Sequence, residues 1–351
     1  MVLLHKKGDK TNLKNYRPIS LLSVVYKLFT KVIANRIAKT LNSNQPREQA
    51  GFRSGFSTTD HIQVINQLIE KSNEYNKPLC MAFIDYEKAF DSVKTSAILK
   101  AMKNQGIEET YVMVIEDIYK ASTASVRLHK ISNKIPIGKG VRQGDTISPI
   151  LFIACLEEIF RKLDWEDLGI NVDGEFIQNL RFADDIVLFS EKAEELQQMI
   201  QDLCRESLKA GLKINREKTK VMFNKNAISK VIKVEGVTLE QVEKYNYLGQ
   251  LIHVGASHEK EVKRRIALGW AAFNKYGDFM KSKLPLCLKR KVYNQCILPV
   301  ITYGSETWCL TQRLERKLRT AQRSMERIML GITLRDKKRA TWIREKQKLR
   351  I

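Results

Sequence analysis

The residues of this chain best suited to chemistry are two adjacent aspartates, Asp184 and Asp185. Apolar runs rich in β-branched and aromatic residues flank them at 176–180 and 186–189, so the pattern predicts a hairpin with both carboxylates at its tip. By itself, an Asp-Asp hairpin is more often a solvated turn than a site. Among apolar strands, two ionised carboxylates about 4 Å apart repel by roughly 4 kcal/mol, and a divalent cation would relieve that repulsion.

A third carboxylate, Asp85, directly follows an unbroken apolar run at 79–84. Such a run predicts a buried strand that presents Asp85 at its carboxyl end. Asp91 precedes a predicted helix, where an N-cap is a commoner role than a metal ligand. Three carboxylates from separate segments suit a site in which two divalent ions bridge an incoming phosphate.

The elements that must position these carboxylates alternate between helix and sheet. Ser20 is the expected N-cap of a helix whose apolar stripe comprises two rows, Leu21, Val25, Leu28 and Val32, and Leu22, Phe29, Ile33 and Ile37. A glycine-punctuated loop at 49–59 precedes a second helix, capped near residues 57–60. A second glycine-rich loop at 138–145 opens onto a helix from about residue 148, and either receives phosphate or is only a turn.

Beyond Gly255 the pattern becomes helical, so we expect one domain over residues 1–255 and a second over 256–351. The second domain is strongly basic, with 24 Lys and Arg against 8 Asp and Glu, a net +16 of the chain's +22. A solvated helical face is the alternative, but this imbalance favours a polyanion partner, and nucleic acid first.

Composition excludes several classes of protein. With 351 residues, 43% hydrophobic and 28% charged, the chain is typical of a globular protein with two or three subdomains. It has neither an apolar run of membrane-spanning length nor a secretory signal, so we expect an intracellular protein of nucleus or cytoplasm, with no membrane partner. Six scattered cysteines without Cys-x-x-Cys spacing indicate neither a zinc site nor a disulfide framework.

Taken in order, these segments resemble the reverse transcriptase of LINE-type, non-long-terminal-repeat retrotransposons. The segments that carry the resemblance are residues 5–9 with 16–22, 50–61, 83–93, 140–152, 182–189, 211–222 and 247–249. The resemblance covers nearly the whole chain. It implies an α+β, right-hand polymerase fold with fingers and an antiparallel palm sheet up to about residue 255, followed by a helical thumb. It also implies an RNA-directed DNA polymerase that extends a primer 3′-hydroxyl on an RNA template with deoxynucleoside triphosphates.

The resemblance also implies roles for individual residues. Asp85 and Asp184 match metal ligands for two Mg²⁺ ions, with Mn²⁺ as an alternative, and Asp185 matches a weaker ligand or electrostatic support. Phe90 matches the aromatic gate under the incoming sugar, against the plainer reading of core packing. The remaining matches are nucleotide and template contacts at Gln143 and Gly144, triphosphate contacts at Arg17, Arg53 and one of Lys6 or Lys7, and a primer-grip hairpin at Tyr247, Leu248 and Gly249.

Some matches leave alternatives open. Lys218 matches a lysine proposed to protonate pyrophosphate, or is a solvated turn residue. The basic clusters 289–291 and 337–339 are either nuclear-import signals or thumb surface, and the second reading is favoured. Because no endonuclease or ribonuclease H block is recognisable, we expect a fragment that does not cut its target. The alternative function is that of an inactive element remnant that only binds nucleic acid.

Overall fold

The computed structural model describes residues 1–6, 8–127, 130–255 and 257–347. The chain forms two compact units. The first consists of Met1–His61 and Lys71–Glu243, and the second of Ile62–Glu70 and Lys244–Ile351. The second unit therefore begins earlier in the chain than the domain boundary expected at residue 255, and it includes a segment from the first half of the sequence. The functional division into fingers, palm and thumb stays a prediction.

The described residues form α-helices that alternate with strands in the first unit and follow one another in the second. Their bounds are α1 (Val24–Ser43), α2 (Thr58–Glu74), α3 (Ala89–Ser92), α4 (Thr95–Asn104), α5 (Glu109–Lys120), α6 (Ser148–Phe160), α7 (Ala193–Lys209), α8 (Glu259–Lys275), α9 (Gly277–Lys281), α10 (Leu286–Val292), α11 (Leu298–Thr302), α12 (Gln312–Leu330) and α13 (Ala340–Gln347). A π-helical stretch, Tyr293–Ile297, joins α10 to α11.

The strands are short, and most of them pair with a neighbour in sequence. Their bounds are β1 (Val2–His5), β2 (Tyr16–Ile19), β3 (Cys80–Ile84), β4 (Thr123–Ala124), β5 (Ile135–Pro136), β6 (Ile170–Val172), β7 (Glu175–Ile177), β8 (Asn179–Phe182), β9 (Asp185–Ser190), β10 (Lys220–Phe223), β11 (Lys233–Val234), β12 (Val237–Thr238), β13 (Glu240–Gln241), β14 (Lys244–Tyr247) and β15 (Gln250–His253).

A five-stranded sheet in the order β13-β10-β3-β9-β8 forms the centre of the first unit. Its strands pair antiparallel except for the parallel pair β10 and β13. All five residues of β3 are buried, as the unbroken apolar run predicted. The apolar helix α6 is buried almost throughout and packs into the same core as α4 and α7, so the sheet is supported by helices that leave its strand ends free to carry polar groups.

The hairpin that carries Asp184 and Asp185 forms, but its first strand is shorter than expected. The predicted strand over 176–180 is divided, because Phe176 and Ile177 belong to β7 and pair with β6. Only β8 enters the central sheet beside β9.

Helix α1 forms, but it starts later than expected and only part of the predicted stripe is buried. Ser23 is the N-cap, and its hydroxyl accepts from the Tyr26 backbone N–H at 3.2 Å, so Ser20 as the cap was wrong. Ile33 and Ile37 of the predicted stripe are buried, whereas Leu21, Val25, Leu28, Phe29 and Val32 are exposed. The buried face follows residues 30, 33, 34, 37 and 41.

The core of the second unit is built from its helices. Residues of α8, α12 and the π-helical stretch, with Tyr293, Phe273 and Met325 fully buried, pack around one another. The amphipathic helix α12 buries leucines and methionines on one face and exposes arginines on the other. Among the helices of the described ranges, none combines the length and the hydropathy that a membrane crossing requires.

Candidate active site

The register of the central sheet brings the predicted carboxylates to one end of it. Strand β3 pairs antiparallel with β9, and Ile84 lies opposite Ile186. Strand β3 ends at Ile84, and one further step along this register would set Asp85 opposite Asp185. Directly opposed residues of antiparallel strands have Cβ atoms about 5 Å apart, so this step would bring the two aspartates side by side.

Asp184 lies in a two-residue turn between β8 and β9. Phe182 pairs with Asp185, which leaves Ala183 and Asp184 as the loop. Ala183 has φ +57°, a left-handed conformation that glycine adopts easily and that costs other residues about 1–2 kcal/mol. A strained backbone at the tip of a hairpin that carries two carboxylates is typical of a functional site.

The carboxylates of this turn interact with one another and with nearby cations. Crowding by protein atoms raises the pKa of Asp184, and the charge of Asp85 raises it further. For Asp185 the same loss of water, followed by the charges of Asp184 and Asp85, raises the pKa to about 6. The charges of Arg17 and Lys6, two of the predicted nucleotide contacts, lower the pKa of Asp184.

Lys218 also reaches this group, since its Nζ lies 3.2 Å from Oδ1 of Asp85. The turn that presents it is attached to the same residue. The Asp85 N–H donates to the Thr219 hydroxyl at 3.2 Å, and the Asn215 N–H donates to the Asp85 carbonyl at 2.7 Å. Lys218 therefore does not lie on an isolated solvated turn, although its side chain is more than half exposed.

The donor chemistry of the site fits a magnesium or manganese ion, since Asp85, Asp184 and Asp185 supply only carboxylate oxygens and repel one another. Over the described ranges, however, no three His, Cys, Asp or Glu side chains are arranged closely enough to hold a metal ion. The ammonium of Lys218 donates a hydrogen bond to the Asp85 carboxylate. Metal ligation by these residues thus stays a prediction.

Phe90 lies between two other aromatic rings. It stacks on Phe152 with ring centroids 4.6 Å apart and meets the edge of Phe52 at 6.1 Å. Phe152 is fully buried, whereas Phe90 is half-buried and Phe52 exposed. Phe90 is therefore both part of the core and available on one side, and its assignment as the sugar gate stays a prediction.

Gln143 ties the second glycine-rich loop to two neighbouring segments. Its backbone carbonyl accepts from the Ser20 N–H at 2.8 Å, and its Nε2 donates to Oδ1 of Asp91 at 2.9 Å. Asp91 lies inside α3, so the expectation that it caps a helix was wrong. Gly144 has φ +106°, and a Cβ there would lie 3.0 Å from the Ser20 carbonyl oxygen, which explains the glycine.

A cavity of about 280 Å³ lies beside these residues and is lined in part by Lys88, Asp91, Lys139 and Gln143. The loop predicted to support the nucleotide and two lysine side chains thus line the same cavity. The contacts of Gln143 and Gly144 with a nucleotide stay predictions.

Two further predicted triphosphate contacts have different outcomes. The Arg53 guanidinium donates through Nη1 to the carbonyls of Pro46, at 2.5 Å, and Gln49, at 2.7 Å, so it supports the loop that contains it. Its assignment as a nucleotide contact stays a prediction. Lys7 lies outside the described residues.

The predicted primer grip is a separate hairpin turn within the second unit. Tyr247 pairs with Gln250, and the loop residues Leu248 and Gly249 both have positive φ, +45° and +81°. The Tyr303 hydroxyl donates to the Leu248 carbonyl at 2.6 Å, and the Arg264 guanidinium donates to the Gly249 carbonyl at 2.6 Å. The turn is thus firmly held, while its contact with a primer stays a prediction.

Sequence reasoning missed the buried residues that support the acidic turn. They are Gln49, Gly51 and Glu157, which contact the hairpin, and Arg181, which belongs to its first strand. The glycine-punctuated loop at 49–59 was noticed, but nothing in its sequence indicates which distant strand it meets.

Fold and site together define a class of protein. An antiparallel sheet that presents carboxylates at one end, supported by helices and followed by a basic helical region, is typical of right-hand nucleic acid polymerases. A telomerase from Candida tropicalis in complex with a fragment of telomeric RNA has this fold. It matches with a TM-score of 0.50 and 13% identity over 87% of this chain and 48% of its own. The predicted α+β, right-hand polymerase fold is confirmed.

Residues 4–252 match the family model of the reverse transcriptase (RNA-dependent DNA polymerase), and the chain belongs to this family. An uncharacterized transposon-derived protein of Caenorhabditis elegans is 35% identical over 50% of this chain and 64% of its own length. A probable RNA-directed DNA polymerase from transposon BS of Drosophila melanogaster is 29% identical, over 88% of this chain and 35% of its own.

A Pol polyprotein from a type-1 retrotransposable element R2 of Popillia japonica is 30% identical over 62% of this chain and 31% of its own length. The chain thus spans between about a third and two thirds of these relatives. The resemblance to reverse transcriptases of non-long-terminal-repeat retrotransposons is confirmed.

Proposed function

We propose that this chain extends a primer 3′-hydroxyl on an RNA template by nucleotidyl transfer, with Asp85 and Asp184 as ligands of two divalent ions. The observation that carries the proposal is the sheet register, which brings Asp85 beside the strained turn of Asp184 and Asp185. Three mutually repelling carboxylates at a strand end have little structural value. Their chemistry is that of a site for hard cations.

Bound divalent ions would lower the pKa of the attacking hydroxyl and stabilise charge on the phosphate and the leaving group. Asp85 and Asp184 would hold them, with Asp185 as support. Since Lys218 Nζ now lies on Asp85, it would have to release that carboxylate, and its ammonium would then be free to protonate a leaving pyrophosphate. The charges of Arg17 and Lys6 act on Asp184, which supports their assignment as contacts of the triphosphate oxygens.

We assign the substrate specificity to the other residues that match the family's motifs. The half-buried ring of Phe90, fixed by its stack on Phe152, would exclude a 2′-hydroxyl and select deoxynucleoside triphosphates. Gln143 and Gly144 would support the nucleotide and template, and the turn of Tyr247, Leu248 and Gly249 the primer.

The partners we propose are an RNA template and a DNA primer. The exposed arginines of α12 and the excess of Lys and Arg after residue 255 supply positive charge along the second unit. Phosphate contacts of this kind are independent of sequence and weaken with salt.

The test is primer extension on an RNA template with Mg²⁺. Wild-type protein should extend the primer, and Asp184→Asn should reduce extension by more than about a thousandfold while leaving binding of the template-primer nearly unchanged. Asp173→Asn, a change of an exposed aspartate in another hairpin turn, is the matched control and should extend normally. Folded wild-type protein that binds the duplex without extending it would support the alternative, a nucleic-acid-binding remnant.

A further inference from the structure

The start of the glycine-punctuated loop at 49–59, together with Glu48, runs directly alongside the strand that leads into the acidic turn. The Arg181 N–H donates to the Glu48 carbonyl at 2.8 Å, and the Ala50 N–H donates to the Arg181 carbonyl at 2.9 Å. Gln49 thus forms a parallel bridge with Arg181 on β8. Residues 48–51 act as a short extra strand at the edge of the sheet, next to the strained turn.

Gln49 extends this contact to the turn itself. Its side chain is fully buried, and Oε1 accepts from the Gly51 N–H at 3.0 Å and from the Ala183 N–H at 3.3 Å. Ala183 is the residue in the left-handed conformation, so the amide of Gln49 bonds to the backbone at the point of strain. Nε2 of Gln49 has no hydrogen-bond partner in the described part of the chain. Only the acceptor oxygen of this side chain is therefore in use.

Gly51 closes the contact from the other side. A Cβ at Gly51 would lie 2.3 Å from the Ala183 nitrogen and 2.8 Å from the Phe182 carbonyl carbon. Both neighbours are backbone atoms, which cannot move aside as a flexible side chain can. Gly51 has no positive φ, so the close approach to the turn, and not its own conformation, requires the missing side chain.

The short extra strand of residues 48–51 is anchored in the core of the first unit. The Arg181 guanidinium pairs with Glu157 on α6, with Nη1 2.9 Å from Oε2, and lies over the Phe160 ring at 4.1 Å from its centroid. Arg181 and Glu157 are both almost fully buried. Loss of either partner of a buried ion pair is strongly destabilising, so Arg181 is held in place on α6. Residues 48–51, which bond to the backbone of Arg181, are held with it.

We propose that Gln49 and Gly51 are positioning residues, which hold Ala183 in its left-handed conformation and thereby fix the carboxylate of Asp184. The inference rests on the proposed function in that Asp184 is taken as a metal ligand. Neither residue touches the reacting atoms. Loss of the Gln49 acceptor frees the Ala183 N–H and lets the turn relax, and displacement of a ligand by even about 1 Å can cost about a hundredfold in rate.

A matched pair of substitutions separates the acceptor from the volume of the side chain. Gln49→Met keeps the length of the side chain and removes the acceptor, whereas Gln49→Glu keeps an acceptor oxygen in either protonation state. We expect Gln49→Met to lower the single-turnover extension rate about 10- to 100-fold at saturating nucleotide, with template-primer affinity unchanged. Gln49→Glu should stay within about threefold of the wild type, since Nε2 has no bond to lose.

Gly51→Ala tests the close approach independently. We expect a rate loss at least as large as that of Gln49→Met, because the new Cβ pushes on the turn backbone. Gly277→Ala, in the second unit, is the matched control, since Gly277 has no positive φ and a Cβ there would meet no atom within 4 Å. If Gly51→Ala does not fold, the pair at Gln49 still decides the matter.

Amide hydrogen exchange keeps this proposal distinct from the proposed function. In Gln49→Met the peptide that contains residues 182–185 should exchange at least about tenfold faster than in wild type and Gln49→Glu, with other peptides unchanged. Unchanged exchange in that peptide, or equal rates for Gln49→Met and Gln49→Glu, would overturn the positioning role. If Gln49→Met exchanges faster than wild type but the wild-type protein itself cannot extend a primer, the positioning role is retained and the polymerase is rejected.

Discussion

The acidic turn should destabilise the protein in a manner that depends on pH and on divalent ions. Asp185 has a folded-state pKa of about 6 against an ordinary value of 3.8. A raised carboxyl pKa means that the folded state binds the proton more tightly than the unfolded state does. The free energy of unfolding therefore falls as pH rises from about 4 to 6, and the full penalty is present above pH 6.

The size of the penalty follows from the same shift. A difference of about two pH units corresponds to roughly 3 kcal/mol at 1.36 kcal/mol per unit. Protein atoms displace part of the water around the carboxylate, but Asp185 as a whole is exposed, so solvent screens its interactions with Asp184 and Asp85. We therefore reduce the expected penalty to about 1 kcal/mol. In a metal-free buffer, Asp185→Asn should thus raise the free energy of unfolding by about 1 kcal/mol at pH 7 and leave it unchanged near pH 4.

The assay is urea unfolding at pH 4, 5, 6 and 7, with EDTA and with Mg²⁺. Addition of Mg²⁺ at pH 7 should stabilise the wild type more than Asp185→Asn, because the ion relieves a repulsion that the variant lacks. Asp173→Asn, the exposed turn aspartate away from the site, should show neither effect. Equal stability of wild type and Asp185→Asn at pH 7 in EDTA, or a gain that persists at pH 4, would refute the reasoning.

Three other outcomes follow from the contacts described. Phe90→Val, which shortens the proposed gate, should raise the use of ribonucleotides relative to deoxynucleotides by about tenfold or more in primer extension. Glu157→Gln should cost about 3–5 kcal/mol in urea unfolding because it leaves the Arg181 charge buried and unpaired, whereas Glu158→Gln, on the neighbouring residue of α6, should cost much less. Arg316→Gln, an exposed change on α12, should reduce the slope of log K against log salt by about 1 without abolishing binding.

Local patterns were sufficient to predict the strands and the hairpin that carry the acidic residues. The run before Asp85 and the runs around Asp184 and Asp185 predicted buried strands and a hairpin, and the structure contains both. What no local pattern contains is the register between β3 and β9, which is a property of strands about a hundred positions apart in sequence. The resemblance to reverse transcriptases supplied that pairing indirectly, since its members share the order of these segments.

Helix α1 shows where pattern reasoning was insufficient. Its sequence carries apolar residues on more than one face, so a 3.6-residue period allows several stripes. Of the predicted positions, tertiary packing buried Ile33 and Ile37 and left Leu21, Val25 and Leu28 exposed. Ser20, the expected cap, instead donates its N–H to the Gln143 carbonyl and so belongs to the loop contacts near the site.

The acidic turn combines two unfavourable features that the rest of the first unit must offset. Ala183 adopts a left-handed conformation, and Asp184 and Asp185 repel Asp85. A free two-residue turn would relax by moving the carboxylates apart. The bond from the Ala183 N–H to Gln49 prevents that movement, so the residues that sequence reasoning missed are those that let the predicted carboxylates stay together.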